Sequence, residues 1–198
     1  AAIQRTEGAK TAAVARSVTP TAENDAAPAG APVLKNASAL EMTRANQAAQ
    51  KGDHQVIEVI DSGLDTSHPA FSGALDAASL RMTQADVAAL APSLPHATGG
   101  TWVSDKIPFA YDYADNDADV IPASEKDLNH GTHVTAIAAA NGGEVRGSAP
   151  NAQIIVAKVI QDADGVMSDA AMLAALDDAL VIKPDVINIS LGDDSGMS

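Results

Sequence analysis

Apolar residues along this chain gather into short blocks divided by polar turns. "HQVIEVIDSG" (54–63) is a β-branched run ending in Asp-Ser-Gly, the pattern of a buried strand entering a turn. "KIPFAYDYA" (106–114) is strand-like, "AQIIVAKVI" (152–160) predicts a second buried strand and "DVINISLG" (185–192) a third. Helical spacing separates these blocks. "NASALEMTRANQAAQKG" (36–52) carries a weak stripe of Leu40, Met42 and Ala45, with Gly52 as its stop. "TQADVAALA" (83–91) is a second helix. A third begins at Gly131 and stops at Asn141-Gly142-Gly143. In "SDAAMLAALDDALVI" (168–182) Met172, Leu176 and Leu180 recur every four residues, Ser168 can cap the start, and Pro184 lies just past the end. The order strand, helix, strand, helix, strand predicts an α/β domain with a mostly parallel sheet. Functional groups in such sheets gather at the carboxyl ends of the strands, where Asp61 and Gly192 fall.

Composition narrows this picture. Residues 1–35 are Ala, Thr, Pro and polar residues without a period, so they read as a flexible linker or pro-segment remnant ahead of a folded portion over 36–198. The chain has 198 residues and is 46% hydrophobic with few aromatics, which suits a core of Ala, Val, Ile and Leu. Its 26 acidic and 12 basic residues give a formal charge of −14, a field that repels phosphate backbones and argues against nucleic acid as a partner. Cysteine is absent, so disulfides, thiolate catalysis and Cys-type zinc sites are excluded. There is no apolar run long enough to span a membrane and no visible signal peptide. The start "AAIQRTEG", without Met, reads as a processed chain or an excised piece.

The candidate chemistry lies at two of the block edges. Asp61 ends an apolar strand, where a carboxylate is partly desolvated unless something pairs with it. The plainer reading is a turn-forming Asp. His130 starts a helix after Asn129, a candidate N-cap, and Gly131 lets another backbone or a ligand approach closely. A histidine oriented by a carboxylate is the usual general base near neutral pH. A metal hydrolase built on His130, His133 and Asp61 is the weaker reading. Zinc helices of the His-Glu-x-x-His type carry a Glu base between histidines four apart, whereas Gly131 and Thr132 fill the gap here. His133 is expected to point inward with Val134 and Ile137 as a packing residue.

Four segments in fixed order sharpen this. "VIEVIDSGLDTSHPAF" (56–71), "NHGTHVTAIAAANG" (129–142), "GSAPNAQIIVAKV" (147–159) and "KPDVINISLGDDSG" (183–196) together resemble the subtilisin-like serine peptidases, most of all the bacterial cell-envelope proteinases of lactocepin and C5a-peptidase type. The resemblance runs from about Ala39 to the C-terminus. It implies a three-layer domain, a mostly parallel sheet flanked by helices, and a triad in the chain order Asp, His, Ser. By the resemblance Asp61 orients and stabilises the base, and His130 is the general acid/base. Ser190, Leu191 and Gly192 would line the primary specificity pocket, their backbone pairing with an extended polypeptide substrate as an added strand. A secreted or cell-wall-anchored bacterial protein is implied too.

The sequence departs from the family pattern in what it lacks. The nucleophile belongs to a later "GTSMA"-type segment and the oxyanion Asn to a later "GN" segment. Ser195-Gly196-Met197-Ser198 directly follows "SLG" and replaces neither. The implied domain is therefore incomplete at its C-terminus, with an exposed apolar sheet edge, and activity requires the remainder carrying the Ser. A catalytically incomplete or degenerate relative that binds peptides along its open edge is the alternative. Thr135-Ala136 stands where relatives often carry a small residue and then Gly. The stretch between Asp61 and His130 is longer than in compact subtilisins and ends in acidic residues (Asp115, Asp117, Asp119, Glu125, Asp127), which either shape the substrate groove or form a solvated loop. No cofactor is expected and no metal ligand is assigned. Calcium is left open without a site, since Asp115, Asp117 and Asp119 lack the Gly and Glu of an EF-hand loop.

Overall fold

The computed structural model describes residues 17–18, 40–123 and 129–192. Its strands are β1 (Ser17–Val18), β2 (Val56–Asp61), β3 (Phe109–Asp112), β4 (Gln153–Lys158), β5 (Met167–Ser168) and β6 (Val186–Ile189). Its helices are α1 (Gln84–Leu90), α2 (His130–Ala139) and α3 (Asp169–Ile182). Four strands form a parallel sheet in the order β3-β4-β2-β6. β1 and β5 pair separately as a short antiparallel ribbon.

Every residue of β2 and β4 is buried, as expected of strands covered on both faces. Alternate residues serve different layers. Val56, Ile60, Phe109, Tyr111, Ile155 and Ala157 pack with Val87 of α1 and with Ala171, Ala175 and Ile182 of α3. Ile57, Val59, Ala110, Ile154 and Val156 pack on the other side with Ala136 and Ala139 of α2. The result is the expected three layers, with α2 on one face of the sheet and α1 and α3 on the other. Gln153 ties the base of the sheet. Its buried amide accepts from the Arg81 and Met82 N–H groups and donates to the Met82 and Asp105 carbonyls, so every polar atom it brings inside is used.

α1 starts as its sequence predicts. Thr83 and Asp86 form a capping box in which each side chain accepts from the other's backbone N–H. Ser168 caps α3, accepting from Ala171 N. Lys183 ends α3 in the left-handed conformation, with Pro184 following.

Four expectations are corrected. The face of α3 turned to the sheet is Ala171, Ala175, Asp178, Ala179 and Ile182, while Leu180 is 74% exposed and Met172 and Leu176 are only partly buried. Small residues win there because they let the helix lie close against a tightly packed sheet. The strand expected to be buried over 185–192 is an edge. β6 pairs only with β2, and Val186, Ile187 and Ile189 are exposed. Nothing among the described residues covers its outer side. The helix expected over 36–52 appears, in the described residues, as helical positions 40–42 and a 3-10 turn at Ala45–Gln47, interrupted by Arg44 at φ 60°. Of its stripe only Leu40 is buried. The strand expected over 106–114 is confined to β3, with Lys106 and Ile107 buried ahead of it. The linker expected over 1–35 lies outside the described residues apart from Ser17–Val18. The Ser195–Ser198 segment, Glu125 and Asp127 also lie outside them.

Candidate active site

The carboxyl ends of three adjacent strands converge on one face of the sheet. Lys158 is in register with Asp61 on one side and with Asp112 on the other, so all three side chains emerge on the α2 side. Asp61 is the last residue of β2 and is 1% exposed. Its Oδ1 accepts from Ser62 N at 2.7 Å and faces His130 Nδ1 at 2.9 Å. Its Oδ2 is buried and has no hydrogen-bond partner among the described residues. His130 is the first residue of α2, and its side chain is 30% exposed. With a carboxylate at Nδ1, the imidazole holds its proton there and leaves Nε2 as the ring's acceptor.

Glycine makes this approach possible twice. Gly63 has φ +106°, and a Cβ on it would collide with the Val120 carbonyl oxygen. A Cβ on Gly131 would collide with the Gly63 carbonyl oxygen and lie 3.1 Å from Asp61 Oδ1. The start of α2 therefore rests directly on the turn that follows β2.

Two contacts close that junction. Asn129, the expected cap, makes no side-chain cap bond. The Gly131 N–H is instead satisfied by Ser62 Oγ at 3.0 Å, and Asp65 N donates to Thr132 Oγ1 at 2.9 Å. Sequence reasoning missed Ser62 and Thr132. The available signal was a hydroxyl residue following each half of the pair, in Asp-Ser-Gly and His-Gly-Thr.

His133 does not behave as expected. The buried positions of α2 are Gly131, Thr132, Thr135, Ala136 and Ala139, which places His133 and Ile137 one turn apart on the exposed side. His133 is thus a surface residue, not an inward packing residue. His130, His133 and Asp61 do not converge on a shared ion. Among the described residues the donors that do lie within reach of one ion are Asp112, Asp115 and Asp162. Two of the three already share a cation of the protein's own. The buried Lys158 ammonium lies 2.8 Å from Asp112 and 2.6 Å from Asp162. Burial alone would lower this amine, but the two carboxylates outweigh it and hold the ammonium above its ordinary value. The ammonium thus engages two of the three carboxylates, while Asp115 accepts from Asp162 N.

Ser190, Leu191 and Gly192 follow β6. Ile189 pairs with Ile60, so Ser190 begins level with Asp61 on the neighbouring strand. Asn188 Nδ2 donates to Ser190 Oγ at 2.9 Å, Leu191 is partly buried against the core, and a Cβ on Gly192 would meet nothing within 4 Å.

Further buried ionisable groups lie outside this cluster, Glu58, Asp178 and Lys106 among them. Glu58, in the middle of β2, has no hydrogen-bond partner for either oxygen among the described residues. Burial, and then the Asp178 carboxylate, push it up to about 8. Asp178 accepts from His96 N, Ala97 N and the Tyr113 hydroxyl. Lys106 donates to the Pro150 and Ala152 carbonyls, and burial pushes its amine down to about 7.

Comparison with known proteins bears on the family of the chain. The model of a family described as the subtilase family matches residues 52–198. A PII-type proteinase of Lactococcus lactis subsp. cremoris is 36% identical over 154 residues, covering 74% of this chain and 8% of the relative. A PII-type proteinase of Lacticaseibacillus paracasei is 35% identical over the same length. A C5a peptidase of Streptococcus pyogenes serotype M6 is 30% identical over 154 residues, 74% of this chain and 12% of the relative. The chain thus spans about 8% of the length of the lactococcal relative.

Proposed function

Because the chain belongs to the subtilase family, we propose that it supplies the acid–base half of a serine endopeptidase site. Asp61 and His130 are the catalytic residues of this reading. The observation that carries it is the 2.9 Å contact between His130 Nδ1 and a buried carboxylate oxygen of Asp61, made where a strand end meets a helix start.

The steps follow from that contact. A serine hydroxyl, carried by a segment outside these 198 residues, attacks the peptide carbonyl while His130 Nε2 takes its proton. Asp61 stabilises the imidazolium that forms and keeps the ring in one orientation. His130 then gives the proton to the leaving amine. It next takes a proton from the water that hydrolyses the acyl-enzyme and passes it to the serine oxygen as the acyl bond breaks. Ser190, Leu191 and Gly192, which follow the exposed edge strand β6 from the level of Asp61, would hold the extended substrate beside the reacting atoms. The same reading places the protein outside the bacterial cytoplasm, secreted or wall-anchored.

The test is peptide hydrolysis by the full-length protein and by its Asp61→Asn variant. That variant keeps the shape but loses the carboxylate charge, and kcat is expected to fall on the order of 10⁴-fold. A fluorophosphonate should label the full-length protein and not the 198-residue piece. Labelling of the piece alone would overturn the assignment of the serine to another segment. The open edge of β6 favours a second reading, peptide binding without chemistry. Hydrolysis unaffected by Asp61→Asn, with peptide binding retained, would select it.

A further inference from the structure

Nothing covalent near the site fixes His130 to Asp61, which lie 69 positions apart. Their contact depends on how the first turn of α2 sits on the turn after β2. The first N–H groups of a helix have no partner within it, and Asn129, directly before the helix, does not satisfy them with its side chain. The partner comes from the other half of the site. Ser62 Oγ accepts from Gly131 N, the residue next to His130, and this contact is fully buried. The Ser62 N–H meanwhile donates to Asp61 Oδ1, the same oxygen that faces the imidazole. Ser62 therefore touches both sides of the Asp61–His130 contact, one with its amide and the other with its hydroxyl. Thr132 answers in the opposite direction, since its buried hydroxyl oxygen accepts from Asp65 N on the loop. The loop gives a hydroxyl to the helix, and the helix gives one back.

We propose that Ser62 and Thr132 are positioning residues, a reciprocal hydroxyl clamp that holds the His130 imidazole against Asp61. The proposal rests on the peptidase reading for its kinetic consequence and on the contacts above for its geometry. If either hydroxyl is lost, α2 keeps its fold but its first turn is no longer held to the carboxylate. A displacement of about 1 Å at a reacting group can cost about 10²-fold in rate.

The experiment compares Ser62→Ala, Ser62→Thr, Thr132→Val and Thr132→Ser in the full-length protein, with Asp61→Asn as reference. For each, kcat and KM are measured together with the low-field proton NMR signal of the hydrogen-bonded His130 Nδ1–H. Ser62→Ala should lower kcat about 10- to 100-fold with KM nearly unchanged, and Thr132→Val should do so more weakly. Both should broaden or shift the Nδ1–H signal, while Ser62→Thr and Thr132→Ser restore signal and rate. Wild-type kcat in Ser62→Ala and Thr132→Val, alongside its collapse in Asp61→Asn, overturns the clamp and leaves the peptidase reading intact. If Asp61→Asn has no kinetic effect, the peptidase reading fails. The NMR signal then decides the clamp alone, an unchanged signal in both variants overturning it. Should Ser62→Ala not fold, Thr132→Val carries the same comparison.

Discussion

Burial moves Glu58 and Lys106 toward their neutral forms, Glu58 up to about 8 and Lys106 down to about 7. Glu58 is raised from an ordinary 4.5 to about 8, so its unfolded form loses a proton while the folded form still holds it. Its contribution to stability is complete below the unfolded value and is lost as pH rises through the folded one, at about 1.4 kcal/mol per pH unit between them. Glu58→Gln removes that slope. Urea denaturation should show the variant gaining on the natural protein between about pH 5 and about pH 8. An equal gap at both pH values would count against a buried neutral Glu58. Lys106 runs the other way. Its amine is lowered from 10.5 to about 7, so it destabilises fully below the folded value, and that effect lifts as pH rises toward the unfolded one. Together these two groups place a local minimum of stability between about pH 7 and pH 8.

Helix α3 shows how far a sequence pattern reaches. Its span and its Ser168 cap were legible because they depend on neighbours in the chain. Its buried face was not, because Met172, Leu176 and Leu180 outrank alanine in hydrophobicity while close approach to the sheet selects Ala171, Ala175 and Ala179. Ala175 is fully buried, and Ala175→Leu should cost about 1–3 kcal/mol by overpacking. Leu180→Lys should change stability by no more than about 0.5 kcal/mol. Urea midpoints for the two variants check this, and a larger loss from Leu180→Lys would restore the four-residue stripe as the packing face. The same division holds at the candidate site. Asp61 and His130 stood out as candidates at a strand end and a helix start, while their roles came only with the resemblance to a family. The hydroxyl partners of that junction did not stand out, because each contact joins two segments 67 or 69 positions apart. His133 and the Asn129 cap were misread for the related reason that neighbours in sequence do not say which side of a helix meets the sheet.

Across the whole molecule, apolar surface concentrates at one end of the sheet. Val186, Ile187 and Ile189 line the β6 edge, and Leu173 and Leu180 stand out from α3 beside it. Leu173, Leu176, Leu180, Pro184 and Ile187 share one apolar groove there. An unpaired edge with apolar side chains is a template for further strand pairing. The 198-residue chain should therefore self-associate in a concentration-dependent manner, and Ile187→Lys should suppress this without unfolding it. Sedimentation of both forms at several concentrations is the check. A monomeric unsubstituted chain would mean that the net charge of −14 already outweighs the edge.

The direct seating of α2 on the turn after β2 also bears on how such a chain can change over generations. His130 takes its position from Ser62 and Asp65, across the junction, so the connection from Asp112 to His130 need not deliver it there. Each doubling of a flexible connection's length costs only about 0.6 kcal/mol in closure entropy. Insertions and acidic substitutions in that connection's exposed stretch, residues 115–119, should leave the imidazole on its carboxylate, whereas Val120 is buried with its carbonyl on Leu64 N beside Gly63. The junction thereby separates a part of the chain whose exact contacts hold the imidazole from an exposed loop whose length it does not depend on.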